Sequence, residues 1–285
     1  MNQGPGVVAP GRVAVVTGAA SGIGLGLSER LAAEGMHVVM ADVEEPALHE
    51  AAGKLSGQGA RVLPVLTDVS SAEQVGELRD RAVREFGTVH LLCNNAGVGG
   101  PTGRLWLVPP GDWQWVLGVN LGGVINGIRA FVPLLLEQDA AHIVNTASIF
   151  GVFAGALGPY GISKHAIVAL TETLYADLRT LGLEHKLGVS VLCPGAVRTN
   201  FGSSARNRPA TAGPTLERDD AERARAERFD QLAVGGRDPA EVAGIVVDGI
   251  REGRFYILTS DNRNEAVRRR ADEILSGSPP APPFP

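Results

Sequence analysis

The chain has 285 residues, of which 44% are hydrophobic and 20% are charged, and a formal net charge of −5. This length buries a sizeable core and is most simply one α/β domain, because such folds often run past about 250 residues. The composition excludes a disordered chain, and the acidic balance without a basic, aromatic-studded face argues against a nucleic-acid partner.

The cysteines and the N-terminus indicate a compartment. Cys93 and Cys193 each fall in an apolar strand-like run, so buried reduced thiols are expected rather than a disulfide or a metal pair. No apolar run approaches the roughly 18 residues that span a membrane. Residues 1–10 lack the features of a signal peptide and are interpreted as an N-terminal extension. We therefore expect a cytoplasmic protein without a membrane partner.

The first predicted unit is a strand over 12–17, a glycine turn and an amphipathic helix. The turn carries Gly18, Gly22 and Gly24 in the spacing T-G-x-x-x-G-x-G, which differs from the general G-x-G-x-x-G dinucleotide fingerprint. Glycines in such turns also serve close packing. A turn between a strand and a helix aims N–H groups and a helix N-terminus at a phosphate, so we favour a cofactor site.

A second apolar strand, 37–42, ends in Asp42, eighteen residues after Gly24. A carboxylate at this place suits the ribose hydroxyls of an adenosine and repels a 2′-phosphate. No Arg or Lys lies near the turn or directly after Asp42, so NAD is favoured over NADP. A helix cap is the other interpretation of Asp42, and it is compatible with ribose binding.

The next strands are predicted over 61–66, 89–93, 141–146, 188–193 and 254–258. Short polar residues follow the third and fourth strands, where ligands bind outside the carboxyl edge of a parallel sheet; Asn95 alone is equally a turn residue. A long helix is predicted over 112–137, and its Asn120 is locally unfavourable in a helix and hints at a polar role. The alternation predicts a doubly wound, seven-stranded parallel sheet of the Rossmann type with helices on both faces.

The pair Tyr160 and Lys164 falls in a predicted helix over 159–181, so both project from one face. An ammonium beside a phenol lowers the tyrosine pKa from about 10 and makes it an acid/base near neutral pH. An ordinary exposed pair on an amphipathic helix is the alternative interpretation.

The segment 200–236 breaks the alternation and is a candidate substrate lid, with a solvated surface helix as the alternative. The proline-rich tail, 277–285, is expected to be flexible. We expect a single Rossmann-type domain over 1–285.

Taken together, the chain resembles the short-chain dehydrogenase/reductase family, in its shorter, non-extended branch, over roughly residues 11–258. The motifs occur in family order: Thr17-Gly18-x-x-x-Gly22-x-Gly24, Asp68, Asn94-Asn95-Ala96-Gly97, Asn120, Ser148, Tyr160-x-x-x-Lys164 and Pro194-Gly195. Each motif alone is weak evidence, and their joint occurrence is specific.

The resemblance implies four catalytic residues. Tyr160 would be the general acid/base, and Lys164 would hold the nicotinamide ribose and lower the Tyr160 pKa. Ser148 would stabilise charge on the substrate oxygen, and Asn120 would position a water that links Lys164 to solvent. The implied cofactor site comprises Gly18, Ser21, Gly22, Ile23, Gly24, Asp42, Asp68, Val69, Asn95, Ala96, Gly97, Tyr160, Lys164, Pro194, Gly195, Val197 and Thr199. No metal is expected.

The implied activity is reversible, NAD-dependent oxidation of a secondary alcohol to a ketone. NADP-dependent carbonyl reduction and a non-catalytic dinucleotide-binding redox sensor are the alternatives; a sensor would be expected to lose the Tyr or the Lys. Apolar residues over 149–157 and 98–110 predict an apolar substrate, such as an alicyclic, terpenoid or steroid-like alcohol, unless they pack in the core. The resemblance also implies a homodimer or homotetramer.

Overall fold

A computed structural model of the protein describes residues 6–153, 158–216, 219–220, 223, 235–260 and 264–281. Seven parallel strands form one sheet in the order β3-β2-β1-β4-β5-β6-β7. The strands are β1 (Val13–Thr17), β2 (His37–Asp42), β3 (Val62–Leu66), β4 (Leu91–Asn94), β5 (Ala141–Thr146), β6 (Leu187–Cys193) and β7 (Tyr256–Leu258). The helices are α1 (Gly22–Ala33), α2 (Glu45–Gly57), α3 (Ala72–Phe86), α4 (Pro110–Leu117), α5 (Gly123–Leu135), α6 (Gly158–Thr180), α7 (Pro239–Arg251) and α8 (Asn264–Ser276). The predicted Rossmann-type sheet is confirmed.

The sequences of the central strands are almost entirely apolar, because helices cover the sheet on both sides. Every residue of β1, β4 and β5 is buried, as expected of parallel strands between two helical layers. One core lies under α1, α2 and α7 and includes Leu27, Leu48 and Val246. The other lies under α3, α5 and α6 and includes Leu78 and Phe131.

The strand order reverses at β1, which pairs with β2 on one side and with β4 on the other. The connections after β1 and β4 therefore leave in opposite directions and open a crevice at the carboxyl edge of the sheet, where doubly wound folds bind their ligands. The glycine turn follows β1 and the Asn95 segment follows β4, so both predicted loops lie at this crevice.

The prediction of one regular helix over 112–137 is wrong in one respect, because the α-helical hydrogen bonding is interrupted. A π-helical turn, Gly118–Gly122, separates α4 from α5. The buried Asn120 side chain bonds to Val98 and Ser163 instead of facing solvent, and the wider turn accommodates this inward polar group. The predicted strand bounds also shift: β4 begins at Leu91, and β7 is only three residues long.

The expectation about membrane spans also needs correction. Among the described residues, the stretch Pro110–Leu135 is long and apolar enough to cross a membrane. In this fold the stretch contacts α3, α6 and β4. Core helices can have the same length and apolar composition, so these two properties are weak evidence for a membrane span. Both cysteines are buried free thiols, as predicted.

Several predicted segments fall partly outside the described residues. These are residues 1–5 of the N-terminal extension, 154–157 of the apolar segment, most of 217–234 in the candidate lid, and 282–285 of the tail. The described start of the candidate lid forms two short 3-10 helices, Asn200–Asn207 and Ala210–Ala212.

Candidate active site

A cavity of about 420 Å³ opens at the carboxyl edge of the sheet. All the site residues predicted from the sequence line it, with the exceptions of Gly24 and Asn120. The cavity reaches from Asp42 at one end to Ser148, Tyr160 and Lys164 at the other. We call these two regions the adenosine end and the reacting end, after the parts of a dinucleotide that they suit.

The glycine turn between the two ends is packed so closely that side chains are excluded. Gly18 and Gly22 have φ angles of +67° and +55°, which L-residues with a Cβ rarely adopt. A Cβ on Gly24 would lie 1.9 Å from the Gly18 carbonyl oxygen, so Gly24 serves packing behind the cavity wall. A Cβ on Gly22 would lie 2.9 Å from Thr199 Cγ2, and Thr199 therefore closes the turn from the far side.

This cradle fits a dinucleotide phosphate. Ser21, Gly22 and Ile23 begin helix α1 and line the cavity. The positive end of the helix dipole and its first N–H groups lie there. A helix start whose first residue is a glycine is a ready anion site.

Asp42 borders the adenosine end and is fixed by two main-chain groups. Its Oδ2 accepts a hydrogen bond from Ala20 N at 2.9 Å, and its Oδ1 accepts one from Glu44 N at 3.0 Å. The second bond is made to the residue before α2 and not to an N–H of the helix, so the interpretation of Asp42 as a helix cap is wrong. Asp68 is held similarly, since its Oδ1 accepts from Ser70 N at 2.9 Å.

Asn95 ties β4 to β1, which a simple turn residue would not do. Its Nδ2 donates to Thr17 O at 2.9 Å, and its main-chain N donates to Thr17 Oγ1 at 2.9 Å. Thr17 Oγ1 also accepts from Ala96 N at 3.1 Å. The two strands on either side of the crevice are thereby locked together.

The reacting end gathers Ser148 from the segment after β5, and Tyr160 and Lys164 from α6. Tyr160 and Lys164 are 8% and 3% exposed, and both project from one face of α6 as predicted. Lys164 Nζ lies 5.6 Å from the centre of the Tyr160 ring and donates to Thr146 O at 2.8 Å. Ser148 lines the cavity beside them, and its side chain acts to lower the pKa of the Tyr160 phenol.

The pKa expectation for Tyr160 is wrong for this arrangement. Burial raises the pKa of Tyr160 to about 12, although the neighbouring Ser148 side chain acts in the opposite direction. Burial also lowers the pKa of Lys164 to about 8. Spacing along the helix reveals the charge next to the phenol but not the desolvation, which disfavours the charged forms of both side chains. Tyr160 is therefore a protonated phenol at neutral pH.

Asn120 lies behind the cavity wall, next to Lys164. Its Oδ1 accepts from Val98 N at 2.8 Å, and its Nδ2 donates to Val98 O and to Ser163 Oγ, both at 3.0 Å. A Cβ on Gly97 would lie 3.4 Å from both Asn120 Oδ1 and Lys164 Nζ. The side chain thus braces the wall beside the ammonium, while its proposed link to a water stays a prediction.

The walls of the reacting end are largely apolar. Side chains that line the cavity include Val98, Trp115, Ile149, Phe150, Phe201 and Pro209. The expectation for the segment after Ser148 is thus confirmed at its first two residues. The expectation for the loop 98–110 is wrong beyond Val98, because Trp106 is 79% exposed and points to solvent rather than into the wall.

Sequence reasoning missed a group of residues around Glu44 and Arg206, which both line the cavity. Arg206 Nη2 donates to Glu44 Oε1 at 2.5 Å, across 162 positions of the chain. A cation therefore does stand near the adenosine end, contrary to the inspection of neighbouring sequence. The only signal in the sequence was a basic residue, Arg206, in a segment rich in Gly, Ser and Asn. That signal did not indicate where Arg206 lies in the fold.

The parallel sheet, the glycine cradle and the buried Tyr160–Lys164 pair define an NAD(P)-dependent oxidoreductase that acts on CH–OH groups. The family model described as short chain dehydrogenase matches residues 12–210. A crystal structure of a short chain dehydrogenase/reductase from Burkholderia phymatum, in complex with NAD, is 43% identical, with a TM-score of 0.93 over 98% of this chain and 99% of that one.

Characterised relatives are also similar over nearly their whole length. The 1-deoxy-11-beta-hydroxypentalenate dehydrogenase of Streptomyces exfoliatus is 40% identical over 95% of this chain and 92% of its own. The C alpha-dehydrogenase of Sphingobium sp. is 30% identical over 94% and 87%, respectively. This chain belongs to the short-chain dehydrogenase/reductase family.

Proposed function

We propose that the protein interconverts an apolar, alicyclic secondary alcohol and its ketone, with NAD as the hydride carrier. The observation that carries the proposal is the Tyr160 phenol, which is buried beside Lys164 in a cavity that Ser148 and apolar side chains line. Such walls select apolar ligands, and the few polar groups orient them. The relatives named 1-deoxy-11-beta-hydroxypentalenate dehydrogenase support an alicyclic substrate.

In the proposed mechanism, bound NAD supplies the hydride acceptor and a positive charge. Tyr160 holds the proton that moves to or from the substrate oxygen, and its phenol form is ready to protonate a ketone. Ser148 hydrogen-bonds to the same oxygen and stabilises charge as it develops. For the alcohol direction the phenol must first lose its proton, and the Lys164 ammonium, 5.6 Å from the ring, favours the phenolate.

Asn120 has a supporting role in this proposal. The π-helical turn at Gly118–Gly122 holds Asn120 beside Lys164, and we place a water next to that ammonium. That water would connect the ammonium to solvent and let the proton leave.

The preference for NAD over NADP rests on Asp42. Its carboxylate is positioned by Ala20 N and Glu44 N at the adenosine end, where a 2′-phosphate would meet negative charge. Arg206 stands nearby, but its charge is engaged by Glu44. NADP-dependent carbonyl reduction is the alternative that the measurement below separates.

We also propose a homodimer or homotetramer in the cytoplasm. Ile162 and Tyr175 on α6 are 44% and 38% exposed, and a second copy would cover them. Sedimentation analysis would decide the oligomeric state.

The test is NADH formation, followed by absorbance, across secondary alcohols from small polar to bulky alicyclic, with NADP in parallel. We expect turnover with bulky alicyclic alcohols and NAD. In Asp42→Asn, which is close to isosteric, the preference for NAD should fall about tenfold, because one charge is removed near the ribose. Turnover confined to NADP, or to small polar alcohols, would contradict the proposal.

A further inference from the structure

The segment Asn200–Asn207, which we call the strap, runs along the cavity from the reacting end to the adenosine end. At its start, the ring of Phe201 lies 5.1 Å from that of Tyr160, centre to centre. In its middle, Ser204 Oγ accepts a hydrogen bond from Gly99 N at 2.9 Å. At its end, Arg206 and Asn207 reach Glu44. The strap therefore crosses the crevice that the dinucleotide occupies.

Glu44 fastens the strap at the adenosine end. Its Oε1 accepts hydrogen bonds from Arg206 Nη2 at 2.5 Å and from Asn207 Nδ2 at 2.7 Å. The Glu44 and Arg206 side chains are 29% and 37% exposed, so the pair is partly shielded from water. The hydrogen bond from Arg206 holds the pKa of Glu44 below its usual value, so the carboxylate stays charged. Charge-assisted bonds of this kind are the stronger ones in proteins.

We call the Glu44–Arg206 pair the clasp, and the strap itself holds the Arg206 side chain. Arg206 Nη1 donates to Ser203 Oγ at 3.0 Å and to Asn200 O at 3.2 Å within the strap. Glu44 N donates to Asp42 Oδ1 at 3.0 Å. The clasp is therefore held on the Arg206 side, and the main chain of Glu44 is fixed in the same turn as Asp42. Because part of the Arg206 side-chain entropy is already lost, closing the clasp costs less than closing a pair of free side chains.

We propose that Glu44 is a positioning residue that holds the strap closed over the bound dinucleotide and slows its release. It acts through Arg206 and Asn207 and does not touch the reacting atoms. A dinucleotide beneath the strap cannot leave along the crevice until the clasp opens, and such opening steps limit turnover in many enzymes. This property is independent of which alcohol is oxidised.

The test measures NADH release directly, without turnover. The complex with NADH is mixed rapidly with excess NAD, and energy transfer from tryptophan to NADH is followed; Trp115 lines the cavity and serves as donor. In Glu44→Ala we expect NADH release to be about tenfold faster, because a partly shielded charged bond is lost. The association rate should change by less than about twofold, since affinity changes lie mostly in dissociation.

Two further variants separate the clasp from a general structural effect. Glu44→Gln keeps an acceptor oxygen for both donors and should show a smaller rise in release rate than Glu44→Ala. Glu45→Ala is the matched control, because Glu45 is the next residue, is 61% exposed and does not line the cavity. It should release NADH at the rate of the original protein, and all variants should keep its melting temperature within a few degrees.

A double-mutant cycle decides whether Glu44 works through Arg206. Arg206→Ala should speed release to a similar extent, and the double variant should be no faster than either single one. Unchanged release in Glu44→Ala and Arg206→Ala would overturn the proposal. So would multiplicative effects in the cycle, or an effect confined to the association rate.

Discussion

The glycine cradle and the reacting end of the cavity recognise their ligands by opposite means. The cradle depends on the absence of side chains, because a Cβ on Gly24 or Gly18 would meet main-chain atoms at 1.9 and 2.9 Å. The reacting end depends on two polar side chains, Tyr160 and Lys164, that are buried. Burial disfavours their charged forms and shifts their pKa values to about 12 and about 8.

The difference between the cradle and the reacting end determines which substitution disrupts each of them. The cradle is a steric device, so adding one carbon should break it while the chemistry of the other end stays intact. The reacting end is an electrostatic device, so removing one oxygen should break it while the shape of the cavity stays intact. The predictions below apply these two operations, and then test whether a displaced pKa by itself indicates function.

The largest effect is expected from Tyr160→Phe, which removes one oxygen. Turnover should fall at least about a thousandfold, in line with the loss of a general acid/base. The dissociation constant for NADH should change by less than about twofold, because Phe keeps the packing against Phe201. Steady-state kinetics and a fluorescence titration with NADH measure the two quantities.

The control for Tyr160→Phe is Tyr175→Phe. Tyr175 lies on the same helix, is 38% exposed and does not line the cavity, so its loss of a hydroxyl should leave both quantities unchanged. Retention of substantial turnover in Tyr160→Phe would remove this residue from the proposed mechanism.

The converse operation is Gly24→Ala, which adds one carbon. Its Cβ would lie 1.9 Å from Gly18 O, so the turn must open, and we expect unfolding to become easier by about 3 kcal/mol. NADH affinity should fall as well, since the cradle would no longer fit a phosphate. Urea unfolding and NADH titration measure both effects.

Gly53→Ala is the matched variant for the cradle. Gly53 lies inside α2 with open space around its Cβ position. Alanine is a better helix former than glycine, so stability should rise by about 0.5–1 kcal/mol. If both alanines behaved alike, close packing would not be what the cradle requires.

Much of this cavity could be predicted from the sequence, because its residues sit in short motifs at strand ends. A parallel sheet brings Gly18, Asp42, Asn95 and Ser148 to one edge whatever the details of packing. The bond between Glu44 and Arg206 could not be predicted, because it depends on how a loop folds back over 162 positions. The prediction that Trp106 lines the cavity is wrong for a related reason. The sequence alone does not reveal whether an apolar residue in a loop faces a cavity or solvent.

The π-helical turn and the Tyr160 pKa show a second limit. The inward bonds of Asn120 to Val98 and Ser163 are tertiary contacts, and no local pattern reports them. Likewise, the degree of burial decides the direction of the Tyr160 shift, and spacing along a helix says only which side chains are neighbours. The identity of the site residues could be predicted from the sequence. The burial and the tertiary contacts that set their pKa values and hydrogen bonds could not.

The smallest effect concerns His142 in β5, which is buried and lies outside the cavity lining. Its Nε2 lies 2.8 Å from Ser190 Oγ, which donates to Arg254 O. Burial lowers the pKa of His142 from 6.5 to about 4. In this window the unfolded chain binds a proton that the folded protein does not, so stability falls as pH decreases from 6.5 to about 4.

We therefore expect the free energy of unfolding to fall by about 2–3 kcal/mol more in the original protein than in His142→Gln over this pH interval. Glutamine keeps a donor toward Ser190 but does not titrate, and comparing pH dependences removes any constant packing cost. Turnover at neutral pH should be the same in both proteins. Parallel acid dependences would show that His142 is not buried as a neutral group. Divergent stability with unchanged turnover would establish that a displaced pKa reports burial, and that the position of Tyr160 at the cavity, rather than its shift, makes it the candidate acid/base.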